Sequence, residues 1–157
     1  MNEVLNVIKN RRSIRKYLPA QIKEEDLKLI IESAIYAPSA HNDQPWHFTV
    51  IQNKDLIKKI NDKSKELMVE SKVDWMRKMA LNQDINLTYN APTLIIVSGN
   101  KTATAPLVDC SAAIQNMLLS AESIGIGSVW LGLIKSFFKL KDEVKKLGIP
   151  DMSLIMV

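Results

Sequence analysis

The sequence predicts an α+β or α/β domain with a single layer of sheet covered by helices. Three observations carry this. Apolar residues recur at helical spacing in several segments, two short β-branched runs lie between those segments, and a third such run ends the sequence. The 157 residues suit one domain with a real core. No internal repeat, low-complexity tract or flexible linker divides them.

The elements follow in order. Residues 2–10 read as a short helix with Val4, Leu5 and Ile8 on one face. Residues 24–36 place Leu27, Ile30, Ile31, Ala34 and Ile35 on one side of an amphipathic helix, and Pro38 stops it. Residues 46–52 are an aromatic and β-branched strand. Asn53 can cap a following helix that buries Leu56, Ile57, Ile60 and Leu67. Residues 62–90 are lysine-rich and weakly periodic, which suggests helices broken by loops. Residues 93–97 then have the β-branched content of a buried strand.

Asp109 is expected to open the most apolar helix, which from Ala112 to Ile124 is apolar on nearly every side. Such a helix must be buried all round, inside a large core or in a subunit interface, and a small chain favours the interface. Gly125 would end it as a C-cap glycine does. Residues 128–131 read as a short strand and 136–147 as a final helix closed by Gly148 and Pro150. Residues 153–157 form an apolar strand that invites pairing.

Composition narrows the class. Hydrophobic residues at 46% and charged residues at 24% are ordinary for a globular domain. No apolar run reaches the roughly 18 residues needed to span a bilayer, so no membrane partner is expected. The first residues lack a secretory pattern, which points to the cytoplasm. The single cysteine, Cys110, excludes an internal disulfide and a multi-cysteine metal site. Asp109 beside it should raise its pKa, which favours a small buried residue over a nucleophile. The net charge of +4 is mild. Lysines in 54–78 and 139–146 alternate with Asp and Glu at helical spacing, as on solvated helix faces rather than a nucleic-acid surface.

Three constellations could carry chemistry. The first puts Arg11, Arg12, Ser13 and Arg15 directly after a helix. Guanidinium forks and a hydroxyl suit phosphate oxygens, although an exposed basic turn or a nucleic-acid contact is also open. The second is residues 37–46, where Pro38 and Pro45 bracket small and amide-bearing residues. Asn42 and Gln44 could read the polar edge of a planar ring, with Pro38 and Ala40 flat against it. A plain helix-to-strand connection is the alternative. The third, residues 124–132, carries Gly125 and Gly127 between a helix and a strand, the reverse of the dinucleotide-binding order. A helix cap and tight turn suit those glycines better, and Trp130 is either core or a ring wall.

Hydrolytic chemistry finds little support. His41 and His47 lie six apart around a proline, which does not put both on one helix face for a metal. There is no nucleophile elbow and no phosphate loop ending in Lys-Ser or Lys-Thr. No metal site and no catalytic side chain are expected, so a cofactor would have to carry the hard chemistry.

Taken in this order, the segments resemble the nitroreductase family. Arg-Arg-Ser-Ile-Arg-Lys-Tyr (11–17) is similar to the family's flavin-phosphate motif, and Ala37 to Trp46 resembles its flavin loop almost residue for residue. Asp109 with residues 112–116 resembles the start of its central helix, and residues 125–130 the turn after it. The resemblance covers nearly the whole chain. It implies a three-layer α/β/α sandwich that dimerises through the central helix, with FMN at the interface and NADH or NADPH as electron donor. Arg11, Arg12, Ser13 and Arg15 would hold the phosphate and ribityl chain. Pro38, Ser39, Ala40 and Asn42 would reach the ring from the other subunit, with Gln44 nearby, and Trp130, Leu131 and Gly132 would line its far side. The implied reaction is ping-pong hydride transfer to a nitroaromatic, quinone or similar acceptor. A dehalogenase, an enoyl-type reductase and a flavin-destroying enzyme are alternatives on the same cofactor. Members of the family usually continue past the last strand into a segment with Lys or Arg that completes the phosphate site. This sequence stops at Val157, so that segment is expected to be missing.

Overall fold

The computed structural model describes residues 2–150 and the backbone of residues 153–156. The helices are α1 (Glu3–Asn10), α2 (Glu24–Ile35), α3 (Lys54–Val69), α4 (Asp74–Leu81), α5 (Pro106–Ser123) and the short α6 (Lys141–Lys145). The strands are β1 (Trp46–Ile51), β2 (Leu94–Asn100) and β3 (Ser153–Met156). They form one antiparallel sheet in the order β1-β2-β3, with Trp46 opposite Gly99, Ile51 opposite Leu94 and Val97 opposite Met156.

Alternation along β2 divides the interior. Leu94 and Ile96 join Ile57, Ile60, Met68, Leu87, Ile134 and Phe137 in one core, under α3 and α4. Ile95 and Val97 turn the other way, onto Ile30 and Ala34 of α2 and Cys110, Ala113, Ile114, Met117 and Leu118 of α5. Helices therefore cover both faces of the sheet, which is the three-layer sandwich expected from the resemblance.

Local signals explain most boundaries. Asn2 Oδ1 accepts the Val4 N–H at 2.8 Å, and Asn53 Oδ1 the Leu56 N–H at 2.9 Å, so each caps the helix it precedes. At the far end of α5, Gly125 takes φ 75°. The Ile126 N–H then returns to the Ala121 carbonyl at 2.9 Å and the Gly125 N–H to the Glu122 carbonyl at 3.1 Å. That pair of bonds is a Schellman closure, which a residue with a side chain makes only under strain.

The structure corrects four expectations. The central helix starts at Pro106, so Asp109 lies inside its first turn. Proline fits the first helical position, where its missing N–H would have no partner anyway. Residues 128–131 are not a strand: both edges of β2 are taken, and Ser128 makes only an isolated parallel bridge with Ser13. The helix expected over 136–147 breaks at Leu140, into a 3-10 turn over Lys135–Lys139 and then α6. Within that turn Phe137 N–H bonds the Ile134 carbonyl three residues back, which aims the ring into the core. Leu67 is only half-buried, and the inner side of α3 instead carries Asn61, Ser64 and Met68. The two polar residues are satisfied there, because Asn61 accepts the Leu87 N–H at 2.7 Å and Ser64 donates to the Ile60 carbonyl at 2.7 Å. Within the single chain, α5 meets only in part the all-round burial expected of it, in a core or in a subunit interface. Its inner stripe is closed, but Leu107 and Val108 are 55% and 68% exposed.

The lysines fall where charge mixing places them. Lys59 pairs with Glu143 at 2.6 Å, Lys63 with Glu66 at 2.7 Å and Lys78 with Asp74 at 2.7 Å. No helix among the described residues is long and apolar enough to cross a membrane.

Candidate active site

The basic turn after α1 is docked onto the segment after α5. The Ile14 N–H donates to the Ser128 carbonyl at 3.0 Å, and Ser13 bridges Ser128. The two chain segments approach closely because Gly127 has no side chain. A Cβ there would lie 3.0–3.1 Å from three atoms of Ile14. Branched Ile14 has little freedom to yield, so Gly127→Ala should destabilise the protein by about 1–3 kcal/mol through overpacking. Urea or thermal unfolding checks this, and an unchanged midpoint would contradict the close approach.

Within the turn the guanidiniums differ. Arg11 is half-buried, and neither its side chain nor the Ser13 hydroxyl has a hydrogen-bond partner among the described residues. Arg12 folds back on α1, donating to the Lys9 and Arg11 carbonyls at 2.7 and 3.0 Å, and so serves the helix end. Arg15 leans over the Tyr89 ring at 6.0 Å, and its side chain's hydrogen bond to the Ser13 carbonyl is long at 3.4 Å. Tyr17 donates to the Ile14 carbonyl at 2.7 Å, and burial, reinforced by Tyr89, pushes its hydroxyl up to about 12. It stays protonated at any working pH.

Beyond the turn lie Trp130, 41% exposed, Leu131, buried, and Gly132, next to open space. Ile14, Trp130 and Leu131 contribute to a largely apolar cavity of about 530 Å³ between residues 16–23, α2, α5 and β2.

The loop between α2 and β1 is elsewhere, and none of Pro38, Ser39, Ala40, Asn42 or Gln44 lines that cavity. Ala40–Asn42 form a 3-10 turn in which His41 and Asn42 have φ of 52° and 59°, and Gln44 follows at 44°. Left-handed backbone costs on the order of 1 kcal/mol for residues other than glycine, so the loop must be held from outside. It is. The Ala40 N–H donates to Asp109 Oδ1 at 3.2 Å, the Thr104 N–H to Asp43 Oδ2 at 2.8 Å, and the Asn100 N–H to the Pro45 carbonyl at 2.9 Å. The Gln44 N–H closes the loop on Ser39 Oγ at 3.0 Å. The bonds from Thr104 hold the Asp43 carboxyl below its ordinary range. Its contribution is complete above the ordinary carboxylate pKa and is lost as pH falls through that lowered value.

The two motifs thus sit at opposite ends of one helix. The loop is tied to the first turn of α5 at Asp109, and the basic turn to Ser128, just past its last residue, Ser123. At 1.5 Å per residue the ends are roughly 21 Å apart along the axis. One chain docks the basic turn, through Ser13 and Ile14, on the segment that leads to Trp130, Leu131 and Gly132, but does not bring the loop there. The sequence reading missed Asp43, Asp109 and Ile14 as parts of this arrangement. The sequence marks Asp109 as a helix opener and as the neighbour of Cys110, and no local signal connects it to Ala40.

Free guanidinium and hydroxyl donors fit a phosphate group, and an open glycine beside an exposed indole fits a flat ring. Cys110 takes no part. It is fully buried, and desolvation, with Asp109 adding to it, pushes its thiol up to about 11. A thiol reagent at mildly alkaline pH should leave the folded protein untouched and titrate Cys110 after denaturation; labelling of the native chain would contradict this. Among the described residues no three His, Cys, Asp or Glu side chains gather into a metal site.

Comparison with known proteins identifies the family. Residues 8–157 match the model of the nitroreductase family. A protein of Archaeoglobus fulgidus named as an NADH dehydrogenase/NAD(P)H nitroreductase is 36% identical over 155 residues, 96% of this chain and 79% of that protein. One of the same name from Methanothermobacter thermautotrophicus is 35% identical over 147 residues, 91% of this chain and 65% of that protein. The crystal structure of a nitroreductase with bound FMN from Bacteroides fragilis superposes with a TM-score of 0.91 at 34% identity, covering 99% of this chain and 84% of that one. With a family match over nearly its whole length and relatives of this similarity, the chain belongs to the nitroreductase family.

Proposed function

We propose that the chain is an FMN-dependent NAD(P)H oxidoreductase that works as a homodimer, with each flavin site shared between two copies. The observation that carries this is the placing of the two motifs at opposite ends of α5. A two-fold axis crossing α5 sets two copies antiparallel, so the loop of one meets the basic turn of the other. Apolar surface is available for such a union. Leu107 and Val108 of α5 are exposed, as are Val4, Leu5 and Ile8 of α1, a helix with no buried residue. A free-standing helix of that length is marginal in water, and covering its apolar stripe would hold it.

In this arrangement Arg11, Ser13 and Arg15 hold the phosphate, with Arg12 supporting the turn from the end of α1. Pro38, Ser39, Ala40 and Asn42 from the second copy meet the ring, Gln44 stands close by, and Trp130, Leu131 and Gly132 form the opposite wall. When bound, FMN supplies hydride uptake from NADH or NADPH and delivery to a nitroaromatic, quinone or similar acceptor. The chain's own work is to bind, orient and desolvate. No side-chain acid or base is required, since solvent can supply protons.

Mixing the purified chain with FMN should give a yellow protein that saturates near about one flavin per chain, as two equivalent sites per dimer require. Its absorbance should bleach with NADH or NADPH and return with a nitroaromatic or quinone. A chain that takes up no FMN would reject the proposal. Recovery with halogenated phenols alone would move the acceptor class instead.

A further inference from the structure

We propose that Asp109 is a positioning residue that fixes the strained ring-facing loop. This rests on the flavin reading above for what the loop meets, but not for the contact itself. Asp109 is 4% exposed and lies in the first turn of α5, 69 residues along the chain from the Ala40 N–H that it accepts through Oδ1. Its second oxygen, Oδ2, is buried with no hydrogen-bond partner among the described residues. A buried unpaired carboxylate oxygen costs free energy that ordinary packing would not retain, and such groups gather where structure serves function.

What Asp109 holds is unusual in the same way. The loop carries left-handed backbone at His41, Asn42 and Gln44, a conformation that persists only under outside restraint. Asp43 supplies one tie, from the loop to Thr104 on the exposed side. Asp109 supplies the buried tie, at the start of the strained turn, from the helix whose other end leads to Ser128 and the phosphate turn. Asp109 is thus the direct hydrogen-bond tie between the ring-facing loop and α5, beside the Asp43–Thr104 and Pro45–Asn100 bonds that hold the loop elsewhere. Restraint at several points of this kind pre-organises a site and reduces the ordering cost of binding.

Two variants and two readouts test this. Asp109→Asn keeps an acceptor oxygen for the Ala40 N–H, and Asp109→Ala removes it. In flavin-free protein, Asp109→Ala should speed hydrogen exchange at the amides of residues 40–44, while amides in the middle of α5 stay protected. Asp109→Asn should leave both near wild type. FMN affinity should fall about tenfold or more in the alanine variant and recover to within about threefold in the asparagine variant. Unchanged loop exchange in Asp109→Ala would overturn the proposal. So would equal loosening of the loop and α5, because that marks a helix-stabilising role. Loosening with unaltered FMN affinity would overturn it as well. The exchange arm needs no flavin, so a wild-type chain that took up no FMN would remove the functional reading while exchange still decided the restraint.

Discussion

Replacing Arg11 with alanine is expected to weaken FMN binding by about 1.5–3 kcal/mol, the scale of a charge-assisted hydrogen bond. Arg11 closes α1, its N–H bonded to the Val7 carbonyl, so its backbone is set before any ligand arrives. Arg11 is half-buried and its guanidinium is uncommitted among the described residues, which lowers the entropic cost of ordering it on a phosphate. Arg15→Ala should act on the same scale, since the Tyr89 ring already supports that side chain. Arg12→Ala should instead loosen the end of α1, because its guanidinium serves carbonyls there. Arg11→Lys would keep the charge but lose the forked geometry, and should recover only part of the affinity. Flavin titration of the variants decides the matter. Unchanged affinity in both Arg11→Ala and Arg15→Ala would contradict the phosphate role.

The largest stability effect should come from Phe137→Ala, at about 3–5 kcal/mol. Phe137 is 1% exposed and lies edge-on to Phe138, with ring centroids 5.5 Å apart and planes at 88°. It shares a core with Leu131 and Ile134, so the 3-10 turn that presents it also fixes the segment carrying Trp130 and Gly132. Its removal leaves a cavity where strand, helix and turn meet. Urea unfolding measures the loss, and a cost under about 1 kcal/mol would mean that the turn repacks freely.

Much of this fold was legible because its signals are local. Asn53 caps α3, Gly125 closes α5 in the left-handed conformation, and the apolar period of α2 ends at Ile35 before Pro38. Other features were decided at a distance. Pro106 starts α5 where the sequence drew attention to Asp109. Residues 128–131 had strand composition, but the edges of β2 were already occupied. The break at Leu140 follows from seating Phe137 in the core, which no periodicity records. The candidate site divides in the same way. The residues of the basic turn and the proline-bracketed loop stood out by type. Their anchoring to opposite ends of one helix did not, because it depends on the length of α5 and on bonds such as Ala40 to Asp109.

Subunit complementation tests the shared site most directly. Arg11→Ala and Asn42→Ala, each impaired in FMN binding alone, are mixed and allowed to exchange subunits. If the basic turn of one copy meets the loop of the other, every mixed dimer contains one site built wholly from wild-type segments. Roughly a quarter of all sites should then bind FMN with native affinity after random exchange. If turn and loop served a flavin within a single chain, no native-affinity sites would return at any mixing ratio.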